Sequence, residues 1–433
     1  MNKTYIYIIT LYFVTFFSNA QDDFWTLERC IEMGLQNSLE MKIRQIEVKR
    51  TQKSHNSIAN NILPTVSFDA NQSYNFGSTI DPSTNGRVSS NIQYDNFFLS
   101  ARMNLLDFNA IATSQLTKLN IEQAKVEKEV LENEYQLQIA ESYFTALYSQ
   151  ELLKIQEEQF TNALQNLERI QKEDSLGSKP KSDLYDIQLS VALEEKNILE
   201  TKQLLQIQKK QLFQLLNIEN INENNIELLF YLNAHEKEII NEASNPNLKL
   251  AELKYKQNLK RAKQVRGNNL PTLNAFYNYS TFYYKPLNQP DIVVDGFKEQ
   301  FSDNKNQQVG LALNIPIFNG FRNSKNVKAL KFESEKSKLF IEQEKIKINQ
   351  QIAIEQEKQK QLRQLEEQLI AINLLSQKTY KTSQSKYEAG KMDAVVLSSV
   401  KNQLLQSEYN LLKNKLQLQY AIVKIKLIQQ NQL

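Results

Sequence analysis

Glycine and proline are scarce in this chain. Nine glycines and eight prolines occur among 433 residues, about 4% of the chain where about 12% is usual. So few turn-formers exclude a fold of many short elements, and the segments between breakers must be long. The single cysteine, Cys30, excludes an intrachain disulfide and reads as a small apolar residue on a helix face. The two histidines, His55 and His235, stand apart on polar stretches and offer no metal-ligand spacing. No Gly-rich phosphate loop, zinc spacing or nucleophile elbow occurs. Nothing here supports an enzyme, a cofactor or a metal. Lysine plus arginine exceeds aspartate plus glutamate only by 52 to 49, so the basic bias of a nucleic-acid binder is missing too.

Long apolar runs are also lacking, with one short exception. Lys3, the apolar run Tyr5 to Phe17 and the small residues Ser18-Asn19-Ala20 together read as a secretory leader. That run falls short of the ~20 residues of a membrane-spanning helix. The reading is therefore a leader at residues 1–20 and an exported chain without spanning helices.

What is present is a duplication. Asn61-Ile62-Leu63-Pro64-Thr65-Val66 returns as Asn269-Leu270-Pro271-Thr272-Leu273, and Leu105-Leu106-Asp107-Phe108-Asn109-Ala110 as Ile315-Pro316-Ile317-Phe318-Asn319-Gly320. Gly177, Leu184, Val191, Ile198, Leu205 and Leu212 reappear 213 positions on, as Gly390, Leu397, Leu404, Leu411, Leu418 and Ile425. The expected layout is repeat 1 over 21–217, a linker over 218–234 and repeat 2 over 235–433. Each repeat carries a leading helix, a β-hairpin (about 64–107 and 271–318), a long helix (109–176 and 321–389) and a companion helix (182–217 and 392–430). Function must then lie in an architecture built twice.

The hairpin segments alternate with a period of two. Val66, Phe68, Ala70, Tyr74 and Phe76 share one face, with Gln72 the one polar guest; Thr65, Ser67, Asp69, Asn71, Ser73 and Asn75 share the other. Phe97 to Leu105, Leu273 to Tyr283 and Val309 to Ile317 repeat the habit. Apolar-out, polar-in strands of about ten residues suit a transmembrane barrel, although a soluble sandwich with one wet face alternates in the same way. A bilayer tolerates no open sheet edge, and single-chain barrels start at about eight strands. Four strands must therefore borrow from other copies. A trimer is preferred, because about eight strands leave only a side-chain-filled interior.

The helices are long enough to cross a compartment. Residues 109–176 and 321–389 contain no proline or glycine, and at 1.5 Å per residue each would reach about 100 Å. Their companions repeat every seventh residue, which keeps one seam facing a partner and winds left-handed coils. Because they leave directly from strand ends, the helices are expected to run coaxially with the barrel. A secreted coiled-coil scaffold or adhesin is the alternative reading of these segments.

In the Leu-Pro-Thr strand starts, the Ile-Pro-Ile-Phe-Asn-Gly junction and Tyr387-Glu388-Ala389-Gly390, the chain resembles the TolC-like outer-membrane efflux protein family, over about residues 24–430. The resemblance implies a mainly α fold with a transmembrane β-barrel: a homotrimer with a 12-stranded barrel and a long coiled-coil α-barrel reaching into the periplasm. It implies a passive exit duct in the outer membrane of a Gram-negative cell. The implied partners are a periplasmic adaptor, an inner-membrane RND or ABC transporter and outer-membrane lipid, with no nucleic acid. Use in type I protein secretion is the alternative. It also implies an aperture. Family aspartates stand six and nine residues after a turn glycine, and here Asp183 and Asp186 hold those spacings after Gly177, while Val396 and Ser399 hold them after Gly390. Tyr387 matches a tyrosine that locks neighbouring coils. Lys179 and Lys391, beside the turn glycines Gly177 and Gly390, are the candidates for adaptor contact. The competing role for Asp183 is a carboxylate placed at a helix start by the dipole.

Overall fold

The computed structural model describes residues 24–55, 57–80, 85–89, 91–178, 180–219, 226–229, 245–287 and 293–430. The expected leader and most of the linker at 218–234 lie outside these residues. In chain order the described residues form β1 (Phe24–Trp25), α1 (Leu27–Asn37), α2 (Leu39–Lys53), α3 (Ile58–Ile62) and β2 (Thr65–Asn75). The short pair β3 (Ser78–Ile80) and β4 (Arg87–Ser89) follows, then β5 (Asn91–Leu106), α4 (Phe108–Ser175) and α5 (Lys181–Leu215). The second half runs β6 (Glu227–Leu228), α6 (Pro246–Gly267), β7 (Thr272–Leu287), α7 (Phe297–Asp303), β8 (Asn306–Asn314), α8 (Arg322–Glu388) and α9 (Ala394–Gln430). No described helix is long and apolar enough to cross a membrane.

Two compact units emerge, and each draws on both sequence repeats. One combines the described residues within Met1–Lys42, Leu131–Asn245 and Ile348–Leu433; the other combines Ile43–Val130 and Pro246–Lys347.

The second unit holds the strands. β2, β5, β7 and β8 form one antiparallel sheet in that order, so the hairpin of one repeat lies beside the hairpin of the other. The register brings the apolar sets together. Phe68 pairs with Leu99 and Leu99 with Tyr279, while Tyr277 pairs with Val309 and Ala275 with Leu311. Because side chains alternate across a strand, all four apolar rows lie on one face of the sheet. Serine, asparagine and aspartate dominate the other. Phe276 is an exception on the polar side, and its ring lies over Gly310, where an added Cβ would come within 2.7 Å of it. β8 stops at Asn314 rather than at Ile317, because Pro316 has no N–H to donate and constrains Ile315 before it. β7 runs on to Leu287, and α7 occupies the stretch before Lys305.

The first unit is helical around a small apolar core. β1 pairs in parallel with β6, Trp25 against Leu228. Trp25, Cys30, Ile139, Tyr143, Leu147, Leu212, Phe213 and Leu216 pack together. Burial pushes the Cys30 thiol up to about 12, so it is an inert packing residue. Tyr143 reaches from α4 to the carbonyls of Trp25 and Leu229 at 2.9 and 2.7 Å. Gln150 brackets the backbone of Leu228, accepting from its N–H and donating to its carbonyl, both at 2.9 Å. These side chains satisfy strand groups that a two-residue ladder leaves open.

Candidate functional site at the helix turns

The two turns of the first unit close in the same way. At the end of α4, the Ser178 N–H donates to Glu173 O (3.0 Å) and the Gly177 N–H to Asp174 O (2.9 Å). At the end of α8, the Lys391 N–H donates to Lys386 O (2.8 Å) and the Gly390 N–H to Tyr387 O (3.0 Å). Both pairs are the double bond of a Schellman cap, and each needs a left-handed residue. Gly177 has φ +66° and Gly390 φ +69°. An added Cβ would meet nothing within 4 Å at either position, so the requirement is conformational. Gly390→Val is expected to destabilise the turn by about 1–2 kcal/mol, read as a lower thermal midpoint by circular dichroism. An unchanged midpoint would show that the left-handed geometry is not required.

Tyr387 is the buried centre of the site, at 1% exposure. It packs with Ile170, Ile187, Val191, Ala394 and Leu397, drawn from α4, α5 and α9. The Arg169 guanidinium lies 4.9 Å over its ring, a cation–π distance, and reaches Glu388 at 3.9 Å. Burial pushes the Tyr387 hydroxyl up to about 12; Arg169 opposes the rise, while Asp183 and Glu173 add to it. The structure thus brings Tyr387 and Asp183 into one electrostatic neighbourhood. Asp183 is half-buried in the first turn of α5, where the helix dipole favours a carboxylate. Asp186, one turn on, is exposed, as is Lys391. Lys179 lies outside the described residues.

Further up the coils stands a polar clamp that heptad reading alone passes over. The Lys401 ammonium donates to both Glu194 oxygens (2.9 and 3.0 Å) and to the Gln159 carbonyl (3.0 Å). It ties α9 to α5 and α4, with side-chain exposures of only 7% and 14% for the ion pair. One heptad on, the Glu408 carboxyl is held above the usual carboxylate range by burial and then by the nearby Glu158 charge. Its protonated form is therefore favoured in the fold. The stabilising contribution is present below the ordinary value near 4.5 and is lost as pH rises through the raised value. Glu408→Gln mimics the protonated form and keeps a partner for Gln159. It is expected to raise the thermal midpoint at neutral pH, with the gain shrinking to nothing under acid conditions. A gain independent of pH would refute this assignment.

The sequence model of the outer membrane efflux protein family matches residues 30–217 and again residues 241–428. The chain belongs to that family. The double match falls on the two repeats, so each half of this efflux protein is one copy of the family unit. Solved structures agree in fold. The outer membrane protein VceC from Vibrio cholerae superposes with TM-score 0.74 at 13% identity, over 92% of this chain and 95% of its own. The Campylobacter jejuni CmeC outer membrane channel gives 0.73 at 16%, over 94% and 85%. The open-state Neisseria gonorrhoeae MtrE outer membrane channel gives 0.74 at 15%, over 94% and 89%. A search of curated proteins finds no match.

Proposed function

We propose that three copies of this efflux protein assemble into one outer-membrane exit duct, with twelve strands closed as a barrel and the long helices as its periplasmic conduit. The observation that carries the reading is the sheet. Its four strands put all their apolar rows on one side, and both edge strands, β2 and β8, lack a second partner among the described residues. Unsatisfied edges cannot stand in hydrocarbon, and about twelve strands leave a lumen where eight do not. Exposed apolar residues on the helices support the same assembly. Leu189, Leu193 and Leu199 on α5, with Ile354, Ile372 and Leu375 on α8, are each about half exposed or more. Such stripes are what neighbouring copies would cover.

The duct carries out no chemistry and holds no cofactor; it passes cargo handed over by others. A periplasmic adaptor and an inner-membrane transporter of the RND or ABC type are the partners of this reading, and they choose between small-molecule efflux and protein secretion. At the turns, three copies would place six carboxylates, from Asp183 and Asp186, around one axis, where they focus field on passing cations. Lys391 and the residues around Gly177 and Gly390 would be within reach of the adaptor.

The decisive experiment is extraction of the protein from outer membranes, followed by gel analysis with and without heating and by planar-bilayer recording. A heat-modifiable trimer with small leak conductance is expected. A monomer that never conducts would end the proposal. In the same recordings, Asp183→Ala combined with Asp186→Ala should raise the leak and weaken block by divalent cations. Unchanged currents would return both residues to helix capping.

A further inference from the structure

The short helix α7 lies between β7 and β8, and the fold holds it firmly. β8 pairs with β7 only as far as Ser280 opposite Asn306, so residues 281–287 of β7 overhang without a β8 partner. α7 closes part of that overhang with side chains. Gln300, 6% exposed, accepts from the Tyr284 N–H at 2.9 Å and donates to the Tyr284 carbonyl at 2.9 Å and to Asp295 O at 2.7 Å. Asn304 donates to Phe282 O at 2.9 Å, and the Thr281 hydroxyl donates to Phe301 O at 2.8 Å. One amide thus performs both halves of a strand pairing, and the edge is blunted where the ladder ends.

The side on which α7 lies is equally definite. Phe297 and Phe301, one turn apart on α7, sit 6.0 and 5.4 Å from Phe97, and Phe297 is 5.4 Å from Tyr283. Phe97 and Tyr283 belong to the apolar rows of β5 and β7, so α7 is stacked on the apolar face. It is stacked at the limit of that face. Gln72, Gln93 and Asp95 are polar members of the same rows, and the register sets them side by side. Gln72 pairs with Asp95 and Asp95 with Tyr283, while Gln93 pairs with Lys285. Nearer the helices the rows read Val66, Phe68, Leu99, Ala101, Leu273 and Leu311 without a charge. The outward face therefore changes from apolar to mixed at the level of Asp95, and α7 covers that change. Its free side is mixed as well. Val293 is 94% and Phe297 49% exposed, next to exposed Lys298, Glu299, Asp303 and Lys305.

We propose that α7 is an interfacial wedge, seated on the boundary between lipid headgroups and acyl chains of the outer leaflet, where it fixes the depth of the barrel. The lipid surface is the occupant because α7 sits where the continuous apolar rows end, on Phe97 and Tyr283, with the polar Gln72, Gln93 and Asp95 at the same level. The half-exposed Phe297, flanked by charges of both signs, matches the composition of that boundary. This inference rests on the barrel reading, which turns the apolar face to lipid.

Tryptophan quenching separates the two. The native Trp25 is buried in the other unit, so wild-type protein supplies the background. Phe297→Trp and Leu311→Trp channels, full-length and reconstituted in phosphatidylcholine vesicles, are compared with bromines placed high in the acyl chain or near its end. The Phe297→Trp signal is expected to be quenched more by the shallow bromines than by the deep ones. Leu311→Trp should lose fluorescence to both. Quenching at Leu311→Trp with none at Phe297→Trp overturns the wedge, and a blue-shifted, unquenched Phe297→Trp spectrum would place α7 against a second copy instead. Loss of quenching at both positions removes the barrel reading itself.

Discussion

Replacing Lys401 by methionine is expected to cost this protein about 3–5 kcal/mol of stability, because removing one member of a buried ion pair strands the other. Glu194 would keep its burial and lose both short contacts to the ammonium. Methionine nearly conserves the volume, so the loss is electrostatic rather than a cavity. The companion experiment is Lys401→Met with Glu194→Leu. Removing both charges should restore stability to the wild-type level or above, since apolar replacements of buried pairs are often neutral or stabilising. Thermal unfolding followed by circular dichroism reads both variants. If the single variant unfolds at the wild-type temperature, the pair is solvated and the clamp contributes nothing. If the double variant is as poor as the single, the Gln159 contact or packing matters more than the charge. The clamp joins α9 to α4 and α5, so the single variant should also loosen the coils near the turns and raise leak current.

Lys401 also shows what could be read from sequence and what could not. It stands four residues after Leu397 and three before Leu404, squarely on the buried stripe. That spacing signals burial, but a lone lysine on a stripe does not name its partner. Glu194 maps 213 residues on to Ser407, and Lys401 maps back to Gln188, so the duplication offers no echo of the pair. The long helices were legible because nothing interrupts them, and their ends because Gly177 and Gly390 supply the left-handed caps. The strand faces were legible because alternation survives in every row with few exceptions, such as Gln72 and Phe276, and the register then follows from matching those rows. α7 left no such trace. Seven residues are too few to form a helix on propensity alone, and what holds them is Gln300 against Tyr284, a contact made only once β7 is in place. Arg169 was hidden for a related reason: a surface-type residue on α4 gains its role by meeting the Tyr387 ring from another helix.

The sharpest consequence of the shared apolar face concerns two neighbours on β8. Leu311 and Ala312 are adjacent, both exposed in the single chain, and on opposite faces of the sheet. Leu311 pairs with Ala275 on the apolar side, whereas Ala312 pairs with Asn274 on the polar side. In the proposed barrel a lysine at Leu311 would meet hydrocarbon, at a cost of about 2–4 kcal/mol near the bilayer midplane. Three copies would each carry that penalty. Leu311→Lys is therefore expected to abolish insertion, with the protein recovered as periplasmic monomer. Ala312→Lys adds the same charge one residue along, yet in the proposed barrel its side chain would enter a wet lumen, so the variant should insert normally. Its conductance should shift toward anions, since a ring of ammonium groups now lines the path. Membrane fractionation and reversal-potential measurements check the two halves separately. Equal tolerance of both lysines would mean that the sheet does not face lipid, and the alternation would then belong to a soluble surface. Failure of Ala312→Lys alone would instead invert the two faces, placing the serine and asparagine rows outward against every expectation of lipid solvation.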